Sequence, residues 1–238
     1  VYGTQLLWPF TEYPFAVSSV FIIDPSYTLP LLIGVICTLI PKIQAATAYR
    51  INSAALVLSS LYLFCALILK VSIDDKVKTA LNNRQIPVNA YISTPAPITT
   101  LLWRIVVMSD GQYYEGYASV FDAPSDVTLT AYQTTPSLLN NISDEWAIKR
   151  LQWFTKGFYS VRQQQSNIVL SDLRMGMECN YVFNFVVGQK NDSEVSIGNF
   201  EKISQRPNLN NLHKIWDRIW QPNVSLASPA AKNDCNSQ

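Results

Sequence analysis

The feature that most restricts what this chain can fold into is the run from Ile51 to Leu69, nineteen residues without a charged side chain. A helix needs about 20 such residues to cross roughly 30 Å of hydrocarbon. A buried helix of that length in a soluble domain would carry a polar stripe. "INSAALVLSSLYLFCALILKVSI" offers only scattered Ser and Asn. The segment Ile51–Ile73 is therefore predicted to be a transmembrane helix. Composition agrees: 15% of residues are charged, against about 25% in soluble domains.

A second apolar stretch, residues 15–40, contains one residue charged at neutral pH, Asp24. Asp24-Pro25, with Pro30 five residues on, predicts a broken membrane segment, because proline interrupts helical hydrogen bonding and biases its predecessor out of the α region. The stretch lacks a basic preface and a small-residue cleavage pattern, so it does not read as a signal peptide. The link "PKIQAATAYR" holds Lys42 and Arg50 and no acid, which favours a cytoplasmic position. Lys70, Lys76, Lys78 and Arg84 beyond the next helix compete with it, and the orientation stays open.

Three parts follow: a helical membrane region over 1–73, a β-rich α+β domain with a mainly antiparallel sheet over 74–190, and a polar stretch over 191–238. "LLWRIVVMSDGQYYEGYASVF" places two β-rich runs around Asp110-Gly111, a strong hairpin signal. A two-residue turn there pairs Ser109 with Gln112 and makes Arg104 and Glu115 diagonal neighbours on one face. "DVTLTAY", "SNIVLSDLR" and "NYVFNFVVG" read as further strands. "NNISDEWAIKRLQWFTKGF" reads as a helix capped by Ser143, with Ala147, Leu151, Phe154 and Phe158 at helical spacing and Gly157 at its end. In the last part "NNLHKIWDRIWQP" reads as a short amphipathic helix with Leu212, Ile215, Trp216, Ile219 and Trp220 on one side, stopped by Pro222. "SLASPAAKNDCNSQ" has the composition of a disordered tail.

Little in the chain carries chemistry. Net charge is +1 with a pI near 7.8, and no basic run is interleaved with aromatics, so nucleic acid is not an expected partner. The lipid bilayer is. Four cysteines form no Cys-x-x-Cys pair and read as unpaired thiols. No phosphate loop, nucleophile elbow or His-Glu-x-x-His occurs. The single histidine, His213, lies in the amphipathic stretch and reads as a surface residue. Asp24 stands out, because an ionised carboxylate at bilayer depth costs at least about 2.5–3.5 kcal/mol unless a cation, a metal or a polar interior meets it. Either it joins a metal site, or it lies at the water interface, exposed, and does no more than cap the helical run starting near Ser26–Tyr27. Arg104, Glu115, Asp172 and Arg174 are charged residues inside strand-like runs. They are candidate substrate-binding residues, or exposed cross-strand pairs worth little.

"YGTQLLWPF" (2–10), "VFIIDPSYTLPLLIG" (20–34), "TPAPITTLLWRIVV" (94–107), "GQYYEGYASVFD" (111–122), "LQWFTKGFYSV" (151–161) and "SDLRMGME" (171–178) together resemble the bacterial membrane-bound metal-dependent hydrolase family, the YdjM-like inner-membrane proteins. The resemblance runs in order from residue 2 to about 187. It implies a multi-pass inner-membrane helical part followed by a β-rich domain, a hydrolase label and a divalent metal cofactor. Family members carry histidine- and acid-bearing helices before the equivalent of "YGTQLLWPF". Val1 falls in the tail of such a motif, so an N-terminally truncated member is expected, with most presumed metal ligands missing and Asp24 the one candidate left.

Two functions are therefore expected to compete. One is a membrane-embedded metal-dependent hydrolase in which a divalent metal activates water. The other is a non-enzymatic integral membrane protein whose β-rich domain binds a partner.

Overall fold

The computed structural model describes residues 2–177, 180–191, 194–203 and 212–226. The first helix, α1 (Pro25–Leu39), starts immediately after Asp24. Pro25 occupies its first turn, where a missing N–H breaks no bond. Residues 16–23 lie outside the helix, so the predicted membrane segment over 15–40 is helical only in its second part. Helix α2 (Ala45–Asn83) is 39 residues long, about 58 Å at 1.5 Å per residue. It overruns the predicted 51–73 at both ends, because no Gly or Pro interrupts it where the charges begin.

The two helices pack antiparallel: Ser59 donates to the Tyr27 carbonyl at 3.1 Å, while Gly34 meets Asn52 and Ala55 further along. A Cβ on Gly34 would lie 2.9 Å from Asn52 Oδ1 and 3.0 Å from Ala55 Cβ, so the missing side chain is what lets the backbones approach. Away from this contact, Leu29, Leu32, Ile33 and Ile36 of α1 and Leu56, Val57, Leu61, Phe64 and Ile68 of α2 are exposed. Apolar surface of that extent is what a lipid environment covers.

Among the described residues, eight strands form two four-stranded antiparallel sheets. Sheet I is a meander of β1 (Ala90–Pro95), β2 (Leu102–Ser109), β3 (Gln112–Ser119) and β4 (Thr128–Gln133). Sheet II runs β5 (Tyr159–Gln164), β6 (Asn167–Asp172), β7 (Asn184–Asn191) and β8 (Glu194–Ile203). The α+β class with antiparallel pairing is as expected. Two details differ. There are two sheets where one was expected, and β8 lies beyond Lys190, where the sequence was read as losing its pattern. Part of the predicted tail, residues 227–238, lies outside the described residues, as do Cys179 and Cys235. Cys37 and Cys65 are free thiols.

Between the sheets' sequences lies α3 (Trp146–Thr155). Its N-cap is Glu145, not Ser143, whose hydroxyl instead donates to the Asn140 carbonyl at 3.0 Å. Ile148 is its fully buried apolar residue, while Ala147, Leu151 and Phe154 are half-buried. The helix ends through left-handed Lys156 (φ 53°) and Gly157 (φ 81°). The last helix, α4 (Leu212–Trp220), buries Arg218 and Ile219 and half-buries Ile215. Trp216 and Trp220 are exposed, so the five apolar residues do not share one packed side.

Sheet I is covered on both faces. Trp103, Ile105, Val107 and Ala118 pack against Ile73, Val77, Ala80 and Leu81, the last turns of α2. From the opposite face Val106 and Tyr113 meet Phe158, Leu173 and Tyr181 beside sheet II. Sheet II has its own core, in which Val161, Ile168, Leu170 and Val187 close on Leu139, Ile142 and Ile148. A single helix thus passes from the apolar hairpin into the hydrophobic core of the β-rich part.

Candidate functional site: a capped carboxylate and a buried polar network

Asp24 is 3% exposed and its oxygens are occupied. Oδ1 accepts from the Ser26 and Tyr27 amides at 3.0 and 3.4 Å, and Oδ2 accepts the Tyr62 hydroxyl at 2.7 Å. Tyr62 also lies 3.3 Å from Thr100 Oγ1, in the loop between β1 and β2. The carboxylate therefore caps α1, as one of the two sequence readings expected, but it is buried instead of open to water, and through Tyr62 it ties α1, α2 and sheet I at one point. Tyr62, 38 residues away, is a partner that sequence reasoning missed, since a tyrosine in an apolar run gives no signal.

The other four candidates come together between the sheets. The turn Asp110-Gly111, with Gly111 at φ 68°, sets the predicted register: Ser109 opposite Gln112, Val106 opposite Glu115 and Arg104 opposite Tyr117. Arg104 and Glu115 are consequently diagonal neighbours on the face that meets sheet II, and they form an ion pair through Arg104 Nη2 and Glu115 Oε1. Nη1 of Arg104 donates to the Leu173 carbonyl at 2.8 Å. The Tyr181 hydroxyl donates to Glu115 Oε1 at 2.5 Å, and Arg162 donates to the Tyr113 hydroxyl. One residue either side of Leu173, Asp172 holds Arg174 through three bonds: Oδ1 accepts the backbone N–H at 3.0 Å and Nε at 2.9 Å, and Oδ2 accepts Nη2 at 2.6 Å. Exposures of 7% and 8% for Arg104 and Glu115, and 0% and 3% for Asp172 and Arg174, rule out exposed cross-strand pairs. The physical reason is that Leu173 and Tyr181 cover Arg104 and Glu115 on the face of sheet I away from α2, while Tyr2 and Phe154 close over Arg174.

Aromatic rings wall the second pair. The Arg174 guanidinium lies 4.4 Å from the Tyr2 ring centre and 5.1 Å from that of Phe154, and Tyr2 stacks on Phe154 at 5.2 Å. Burial first, and then the Asp172 charge, push the Tyr2 phenol well above its ordinary value against the pull of Arg174. Lys156 is lowered by burial and by Arg174. Burial opposes the Arg104 charge, but Glu115, Tyr117 and Tyr181 outweigh it and hold the guanidinium above its usual range. Nε of Arg104 and Nη1 of Arg174 remain buried without a hydrogen-bond partner.

Glu115 also lines a cavity of about 250 Å³ between β3, β4 and residues 222–226. Tyr117, Thr128, Thr130, Tyr132, Met177 and Arg218 contribute to its lining. Arg218, fully buried, is held by Asp122 at 3.2 and 2.7 Å and by the Tyr117 carbonyl at 3.0 Å. It latches α4 to the β3–β4 loop. Sequence reasoning did not single it out, because an arginine in a short polar helix looks solvated.

The described residues do not by themselves fit a metal. Among them no three His, Cys, Asp or Glu side chains gather, and Asp24 already spends both oxygens on the cap and on Tyr62. His213 is exposed on α4.

Residues 1–73 match the family model described as YdjM inner membrane protein. No curated protein and no solved structure matches the chain.

Proposed function

On the premise that this chain, whose residues 1–73 match the YdjM inner membrane protein model, is a YdjM-like inner-membrane protein, we propose that its helical hairpin anchors a β-rich binding module, and that the module's ligand enters the cavity lined by Glu115. One observation carries the reading: a carboxylate buried under that cavity with its charge met by Arg104 and its Oε1 also accepting from Tyr181. Arg218, the other charged residue of the lining, is neutralised by Asp122. The Thr128, Thr130 and Ser225 hydroxyls and the Asn223 amide line the cavity beside apolar Met177 and Leu226, which suits a small neutral hydroxylated molecule of sugar or polyol type. The test is thermal-shift profiling of the detergent-solubilised chain against such molecules, beside Thr130→Trp, which fills the cavity from exposed strand β4. Stabilisation of the wild type that Thr130→Trp abolishes is the expected result. Equal shifts in both proteins, or none, would remove the reading.

In the same proposal the chain passes the membrane twice. Among the described residues only α2 is long and apolar enough to cross by itself; α1, at 15 residues, rises about 22 Å and would cross as the partner of α2 in a locally thinned bilayer.

The metal-dependent hydrolase reading rests on the family resemblance and on one observation, the buried Asp24 at the domain end of an apolar hairpin. It requires ligands beyond those described. Metal analysis of the purified chain and of Asp24→Asn decides it: we expect no stoichiometric divalent metal, and about one ion per chain lost on substitution would restore the hydrolase reading.

A further inference from the structure

The loops at one end of sheet I flank α2 where its uncharged stretch ends. Thr100 reaches Tyr62, and the Val120 carbonyl accepts Lys76 Nζ at 2.6 Å. Residues 62 to 76 span about 21 Å of helix rise, with Leu69, where the uncharged run ends, midway. These loops and the adjoining α4 expose apolar side chains: Ile98 is 49% exposed, Phe121 59%, Trp216 55% and Trp220 63%. Phe121 and Trp220 stack with ring centres 4.7 Å apart. Trp216 lies one turn before Trp220 on the same side of α4. Nothing else in the described chain covers these rings, although Ile219 beside them is fully buried against sheet I.

We propose that Phe121, Trp216 and Trp220, with Ile98, form a rim seated in the headgroup layer of the bilayer that α2 crosses, so that the β-rich part lies against the membrane. The occupant is lipid because the rim continues the surface of the membrane helix: one of its loops is bonded to α2 at Tyr62, inside the uncharged run, and the other at Lys76, about 10 Å of rise past Leu69. Tryptophan is favoured there, its ring among acyl chains and its N–H toward water. The inference does not depend on the cavity or on any ligand.

The test uses the full chain in phosphatidylcholine nanodiscs containing headgroup spin-labelled lipid, beside Trp216→Phe/Trp220→Phe. Both positions are exposed and keep a ring, so the fold is retained. Two of the six tryptophans are removed, and the lipid-quenchable part of the fluorescence is expected to fall by at least a third. If the variant instead loses an acrylamide-quenchable component, the rim stands in water and the proposal is wrong. If neither component changes, protein covers the rim, either a second copy or a partner, and the proposal is equally overturned.

Discussion

Buried charges in this protein work in pairs, and the pair Arg104–Glu115 sets the scale of what one residue can do. Removing one member of such a pair leaves the other uncompensated, at a cost of roughly 3–5 kcal/mol. Glu115→Ala should therefore destabilise the β-rich part by about that much in denaturant titrations, and Glu115→Gln by less, because an amide still accepts from Arg104 and Tyr181. Tyr117 adds a pH dependence. Burial, with Glu115 and Tyr132 assisting and Arg104 opposing, pushes its phenol up to about 12, while the unfolded value is near 10. The folded protein thus keeps a proton that the unfolded chain gives up between about pH 10 and 12. This contribution is complete below pH 10 and is lost as pH rises toward 12, by up to about 1.4 kcal/mol per unit. Unfolding midpoints at pH 9 and 11, with phenolate absorbance as the proton count, check it. Asp24 shows how far a single residue can be read without coordinates. Its position before a proline and a helical run contained the capping role; its bond to Tyr62 joins two helices and appears only when they pack.

At the scale of elements, β3 and β4 approach so closely that a Cβ on Gly116 would lie 1.8 Å from the Thr128 carbonyl oxygen. Gly116→Ala should separate the strands, and hydrogen exchange at residues 128–133 should then accelerate while sheet II keeps its protection. The β2–β3 hairpin was legible because Asp-Gly dictates a two-residue turn, and the turn dictates register, down to the Arg104–Glu115 diagonal. The long helix was legible in type but not in length, since charges at Lys70, Asp74 and Asp75 mark a change of surroundings without ending a helix. The division into two sheets was not legible. Alternation along a strand reports that one face is buried, and it is silent about whether a second layer covers the other, which is what turned four surface-looking charges into a core network. Strand β8 escaped notice for a related reason: "EVSIGNFEKI" pairs with β7 through a register shift between Val186 and Gly188, and its apolar positions fall out of step. The site is legible only in part. Four of its residues could be named from strand position, but the cavity depends on α4 and Arg218 folding back from about a hundred residues away.

For the whole molecule, the decisive feature is that α2 has no joint. Tyr62 is fixed to Asp24 in the hairpin, and Lys70 is fixed to Asp74 and to Ser93 of sheet I. Between these anchors the helix has only its own pitch, so the azimuth of the β-rich part about the membrane normal is determined by counting residues. One alanine inserted between Tyr62 and Lys70 turns everything beyond it by about 100° and should sever either the Tyr62 clamp or the sheet contacts, seen as new protease cleavage in α2. Seven inserted residues return to within about 20° of the original phase but lift the β-rich part by about 10 Å. That variant should give up the Tyr62–Thr100 contact, keep the fold of the hairpin and of the β-rich part, and lose lipid quenching of Trp220. Rotation or vertical displacement of the helix in the bilayer would likewise arrive at the Glu115 cavity undiminished, as torque and thrust through a keyed shaft.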